Sequence, residues 1–230
     1  MDARTTNTVQ TADRVSGFLW KVYGWMAVGL GLTAIVAFAV AGSPDLLRVL
    51  VGNRLVFFAL VIAELGLVFF LSARADRLAP GTAAGLFALY SALNGVTLSV
   101  ILLAYTGESV TMTFVVTAGM FGALALFGST TKRSLAGAGQ FFMMGLIGLI
   151  LASIIGMFWH NDALQFLISV VGVIVFTGLT AWDAQRLKQM ALALPEGQAG
   201  AYAVVGALSL YLNFINLFLM LLRFTGSRRD

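Results

Sequence analysis

The chain has 230 residues, 60% hydrophobic and only 10% charged, with a net charge of +4 and no cysteine. A soluble domain carries about 25% charged residues. The composition therefore excludes an ordinary soluble protein and indicates an integral membrane protein, in which basic residues mark loops and not a nucleic-acid surface. Without cysteine there is no disulfide, no Cys-ligated metal and no thiol nucleophile.

Residues 1–17, MDARTTNTVQTADRVSG, read as a polar leader, and residues 18–230 as a single transmembrane domain. The first apolar run is too long for the core of a cleavable signal peptide and reads as an anchor that stays. A helix crosses the hydrocarbon in about 20 residues. Seven runs approach that length: Phe18–Ala41, Leu55–Ser72, Ala83–Tyr105, Thr111–Phe127, Gly137–Phe158, Leu164–Trp182 and Ala203–Leu222. The three prolines, Pro44, Pro80 and Pro195, all fall between runs, as helix breakers should. A β-barrel would instead show strict alternation over about 10 residues. The expected fold is all-α.

With a cytoplasmic N-terminus, the inner segments hold nine basic residues (Arg4, Arg14, Lys21, Arg74, Arg77, Lys132, Arg133, Arg186, Lys188) and the outer ones five (Arg48, Arg54, Arg223, Arg228, Arg229). The bias predicts N-in and C-out. The basic terminus RFTGSRRD argues the other way, unless the seventh helix crosses incompletely. Small residues recur four apart in the first run (Gly29, Thr33, Ala37, Ala41) and the fifth (Gly148, Ala152, Gly156). That spacing lets helices approach closely, and close packing within one bundle is preferred to a dimer interface. Oligomeric state stays open.

Two carboxylates fall within the runs. Glu64 lies midway along the second, with Leu60, Val61, Leu67 and Val68 three or four residues away. A carboxylate in hydrocarbon costs about 3 kcal/mol on insertion scales. It needs a partner on another helix, or a proton, so a proton or cation site stands beside a structural hydrogen bond. Asp183 closes the sixth run, three residues before Arg186. That spacing permits an ion pair, and the plain reading is a solvated helix end. Tyr90, Asn94 and Thr97 share one face of the third helix; Thr177 and Thr180 lead toward Asp183; Asn213 and Asn216 are neighbours on the seventh. Together they are expected to offer polar faces to a common interior. Enzyme signatures are missing: there is no HExxH, GxSxG or GxxxxGK[ST], no second intramembrane aspartate, and only His160, expected in a loop. The chain is not expected to be an enzyme or to carry a cofactor.

The motifs VYGWMAVGLGLTA, AELGLVFFLS, LYSALNGVTLS, TFVVTAGMFGALALFG, GLTAWDAQRLK and ALSLYLNFINLFLMLLRFTG, in that order, resemble the Bax inhibitor (transmembrane Bax-inhibitor-motif) family, and bacterial members in particular. The resemblance covers nearly the whole chain. It implies a seven-helix bundle around a central C-terminal helix in a bacterial inner membrane, and a pH-responsive cation leak, chiefly of calcium. It also implies an aspartate pair, from the sixth and seventh helices, that closes the path. Asp183 stands at the first position, where calcium would bind only transiently. Asn213 stands at the second, where the family pattern has aspartate. Two carboxylates titrate as a coupled pair; a carboxylate and an amide cannot, although the amide can still donate a hydrogen bond. The expected latch is Asp183–Asn213, with Glu64 on the ion path, Asn94, Tyr90, Thr180 and Arg186 in support, and Asn216 making a structural bond. Arg74 is the nearest match to an arginine that pairs with the first aspartate in some bacterial relatives. The alternative implied by the resemblance is a non-conducting protein that modulates a membrane-embedded ATP-dependent protease through its leader. A third reading is a proton-coupled transporter using Glu64.

Overall fold

The computed structural model describes residues 3–159, 161–195 and 199–229, with side chains from residue 11 onward except Met157. His160 lies outside the described residues. Eight helices follow in order: α1 Ala3–Ala41, α2 Pro44–Gly52, α3 Arg54–Ala73, α4 Pro80–Ala104, α5 Gly107–Thr130, α6 Ala136–Phe158, α7 Asp162–Ala193 and α8 Ala199–Thr225. All except α2 are long and apolar enough to cross a membrane. Among the described residues the pairing of extended backbone is one isolated bridge, Tyr105 with Arg228.

Local chemistry sets the helix ends. Pro44 and Pro80 occupy first helical positions, where a missing N–H costs nothing. The Asn53 side chain caps α3 by accepting from the amides of Leu55 and Val56. Thr106 caps α5 through the Ser109 amide, and Asn161 caps α7 through those of Ala163 and Leu164.

Helix α1 begins at Ala3, so the polar leader continues into the first span. The elements differ from the sequence expectation in two places. α2 has nine residues, too short to register against a span-length criterion. The sixth span does not end at Trp182 but continues to Ala193. The extension AQRLKQMALA is built of good helix formers, and Pro195 follows its end.

The chain's contacts group into two compact units. The first comprises Met1–Ala104 and Gln189–Tyr211. Here α1 lies against α4 through small residues. A side chain at Gly29 would meet the Phe87 ring, and one at Gly95 would meet the Thr33 carbonyl. The small-residue stripe of the first run therefore does what its spacing predicts. Gly200 accommodates Pro80 in the same way.

The second unit comprises Tyr105–Lys188 and Leu212–Asp230. Its core gathers Leu149, Ile168, Val175, Phe176, Leu179 and Leu217. Gly128 faces the Ala181 backbone, Gly139 the Trp182 indole and Gly178 the Phe142 ring. The α5–α6 connection is tied to α7: Gln185 accepts from the Leu135 amide at 2.7 Å and donates to the Arg133 carbonyl at 2.8 Å, while Lys188 donates to the Ser129 carbonyl at 2.7 Å. The chain end is pinned beside the entry to α5. The Thr106 amide donates to the Ser227 carbonyl at 3.1 Å, and the Ser227 amide to Ser109 Oγ at 3.0 Å. The last span thus runs to the end of the unit where α5 begins.

Candidate functional site

In the second unit, Asp183 sits ten residues before the end of α7 and is 6% exposed. This corrects the reading of a solvated helix end: the helix continues past it, so the carboxylate is enclosed by neighbours and not presented at a terminus. Asn213, also 6% exposed, lies in α8, and its Nδ2 donates to Asp183 Oδ2 at 2.8 Å. Asp183 Oδ1 lies 3.8 Å from a guanidinium nitrogen of Arg186. That guanidinium also stands 5.6 Å from the centroid of the Trp182 ring, a cation–π distance. One carboxylate thus receives an amide on one oxygen and a half-exposed cation on the other. Phe214, beside Asn213 in sequence, packs edge-on against Phe114 and Phe121, which helps hold this turn of α8 in register.

Thr180 and Asn216, the other polar residues expected beside the pair, are satisfied within their own helices. Thr180 donates to the Phe176 carbonyl at 2.7 Å, and Asn216 to the Leu212 carbonyl at 2.8 Å. Asn216 therefore makes a structural bond inside α8. Thr177 Oγ1 is buried without a hydrogen-bond partner, an uncommon state for a hydroxyl in a protein interior.

The first unit holds the other buried carboxylate. Glu64 accepts from Thr97 Oγ1 at 3.0 Å and from Asn94 Nδ2 at 3.3 Å. The stripe on α4 thus supplies the interhelical partners that Glu64 lacks on α3. Tyr90, on the same helix, contributes its ring, edge-on to Tyr211 at 5.7 Å. Arg74 terminates α3, with its guanidinium 5.3 Å from the Phe70 ring centroid.

Two members of this cluster escaped the sequence reading. Tyr211 Oη donates to Asn94 Oδ1 at 3.0 Å and lies 2.7 Å from Thr33 Oγ1, which donates to the Ser91 carbonyl at 2.8 Å. Thr33 was visible only as a small residue in a packing stripe. Tyr211 sits two residues from Asn213 but faces elsewhere, as residues two apart on a helix must. The signal that could have found them is the amide of Asn94: an intramembrane amide pointed at Glu64 leaves its oxygen needing a donor.

Hydrogen counting shows what this chain of groups can do. Each hydroxyl of Thr33 and Tyr211 carries one hydrogen, yet the two serve three contacts: Ser91 O, Asn94 Oδ1 and each other. One contact is unfilled. A proton on Glu64, with the Asn94 amide turned over, supplies the third hydrogen. Glu64 then donates to Asn94, Asn94 to Tyr211, Tyr211 to Thr33 and Thr33 to Ser91. The protonation state of Glu64 and the direction of the chain are thereby coupled.

Seven apolar spans, with carboxylates and amides buried among them and not at their surface, define an all-α membrane protein. The chain belongs to the Bax inhibitor family: the family described as "Inhibitor of apoptosis-promoting Bax1" matches residues 15–230. Among its relatives, the inner membrane protein YbhL of Escherichia coli (strain K12) is 48% identical over 229 residues, 98% of each chain. A protein of Caulobacter vibrioides is 44% identical over 224 residues, 93% of this chain and 89% of its own. One from Borreliella burgdorferi is 43% identical over 215 residues, 93% of each.

Proposed function

We propose that the protein is a cation leak channel of a bacterial inner membrane, with calcium as the permeant ion and the Asp183–Asn213 bond as the latch of its closed state. The membrane assignment rests on the likeness to the inner membrane protein YbhL. The observation that carries the functional reading is the 2.8 Å bond between two buried side chains at the positions where the family resemblance implies an aspartate pair. α8 is the most enclosed of the spans, 61% of its most apolar stretch being buried against 6–39% in the others. Asp183 provides one anionic oxygen pair to a passing ion, fewer than a resident calcium site uses, so binding there is transient.

Replacing one carboxylate of a coupled pair by an amide removes the mutual repulsion that makes such a pair a steep proton sensor. Calcium entry into liposomes, followed from about pH 6 to about pH 8, is expected to change only shallowly for the natural sequence, which lacks the coupled pair. Asn213→Asp should steepen the dependence. Asn213→Leu, which removes the donor, should raise the leak several-fold at neutral pH. A steep acid response that survives Asp183→Asn would discard the latch.

A second reading, implied by the family resemblance alone, is that the chain modulates a membrane-embedded protease through its leader. Trimming residues 1–14 should then abolish co-purification with the protease while leaving calcium flux intact.

A further inference from the structure

At one end of the second unit lies a cavity of about 520 Å³ whose wall includes Arg223, Arg228, Asn161, Asp162 and Gln165. None of these belongs to the Asp183–Asn213 site. The volume suits a small organic ligand or a headgroup.

The two arginines are built into this wall by different means. Arg223 lies in the last turn of α8. Arg228 lies beyond the helix, in the segment held to Tyr105 by an antiparallel bridge and to Thr106 and Ser109 by the backbone bonds of Ser227. It is a positioned side chain, not part of a free tail. Among the described residues, neither arginine has a carboxylate within 4.0 Å. The cavity wall therefore carries two guanidiniums without ion pairs and a single acid, Asp162, which disfavours a cation and favours an anion. Guanidinium forks match the oxygens of a phosphate, and the amides of Asn161 and Gln165 add neutral donors beside them. The other connections at this end, TGES and HND, contain no lysine or arginine, so the arginines depart from the charge pattern of their neighbours.

The apolar flank identifies the source of the phosphate. Phe166 and Phe224 also line the cavity, with ring centroids 5.5 Å apart, and are 59% and 51% exposed. On a membrane protein, exposed phenylalanine rings offer apolar surface to acyl chains. A ligand whose anion enters the cavity can lay a hydrocarbon chain along these rings.

We propose that this cavity binds a phosphate-bearing ligand and that the ligand is an anionic phospholipid, its headgroup between Arg223 and Arg228 and its acyl chains against Phe166 and Phe224. A ligand that binds only the folded chain raises its thermal midpoint. The full chain in mild detergent is titrated with short-chain phosphatidylglycerol, with the matching phosphatidylcholine and with inorganic phosphate. Phosphatidylglycerol is expected to raise the midpoint more than phosphatidylcholine. Arg223→Gln and Arg228→Gln should each weaken it about tenfold, the loss of a charged hydrogen bond. Arg54→Gln, a surface arginine of the other unit, should leave it unchanged. Phe166→Ala with Phe224→Ala should weaken the lipid and spare inorganic phosphate. If Arg223→Gln fails to fold, Arg228→Gln, outside every helix, carries the test alone. A midpoint that responds equally to inorganic phosphate, and ignores the phenylalanines, overturns the lipid and leaves a soluble phosphate. A response equal for both lipids, or one retained in the arginine variants, overturns the site.

Discussion

Asn94 stands between a carboxylate and a phenol, and which end of its amide faces which group depends on where the hydrogens are. Glu64→Gln supplies an N–H in place of a carboxyl proton, so it can fill the chain through Asn94 to Thr33. We expect it to keep or raise the thermal midpoint of the purified protein. Glu64→Ala instead leaves the buried Asn94 amide without that acceptor, while Thr97 keeps the Asn94 carbonyl, 3.0 Å away, and should cost about 1–3 kcal/mol. Tyr211→Phe removes the oxygen that joins Asn94 to Thr33 and should cost about 1 kcal/mol, the range measured for interhelical bonds in membranes. A Glu64→Gln variant as unstable as Glu64→Ala would show that the hydrogen count does not govern this cluster. Glu64 was legible from the sequence as a charge in need of an interhelical partner, and Asn94 as a member of the polar stripe that supplies it. Thr33 and Tyr211 were not, because a hydroxyl can satisfy itself on its own helix, as Ser91, Thr117 and Thr180 do.

Helices in this protein meet where side chains are absent. A Cβ on Gly95 would stand 2.7 Å from the Thr33 carbonyl oxygen, which belongs to backbone and cannot swing away. Gly95→Ala should therefore push α1 from α4 and cost about 1–3 kcal/mol, the range for overpacking. Gly31, also in α1, has nothing within 4 Å of such an atom. Gly31→Ala should be neutral or stabilising by up to about 1 kcal/mol from helix propensity. Thermal midpoints of the two variants in the same detergent test the contrast. Equal effects would mean that contact is not the cause. The same contrast shows what periodicity can and cannot say. The stripe of the first run meets α4; in the stripe of the fifth, Gly156 meets Gln165 and Ile168 of α7, whereas Gly148 has nothing within 4 Å. Spacing identifies a surface that permits close approach but not whether another helix takes it up. The extension of α7 past Trp182 was missed for a related reason: Gln185, Arg186 and Lys188 end the apolar run, not the helix. They are accommodated because Gln185 and Lys188 bond the α5–α6 connection.

For the whole molecule, the number of spans and the distribution of basic residues predict opposite sides for the two termini, with the N-terminus in the cytoplasm. Because the chain contains no cysteine, single substitutions report sidedness directly. Asn161→Cys and Arg229→Cys should react with an impermeant thiol reagent in intact cells, and Lys132→Cys only after permeabilisation. The reverse pattern would invert the orientation and place the arginine-lined cavity at the cytoplasmic leaflet. The sequence by itself determined the membrane class, the seven spans and the family. Hydrocarbon thickness imposes length and composition on each segment separately, and both can be read from a short window. Only the tertiary structure decided that Asn213 bonds Asp183, that Glu64 is tied through Asn94 to Tyr211, and that Arg223 and Arg228 line one cavity. Those contacts depend on how each helix is rotated and how deeply it is set against its neighbours. That is a property of packing between segments distant in the chain, and no window along one segment contains it.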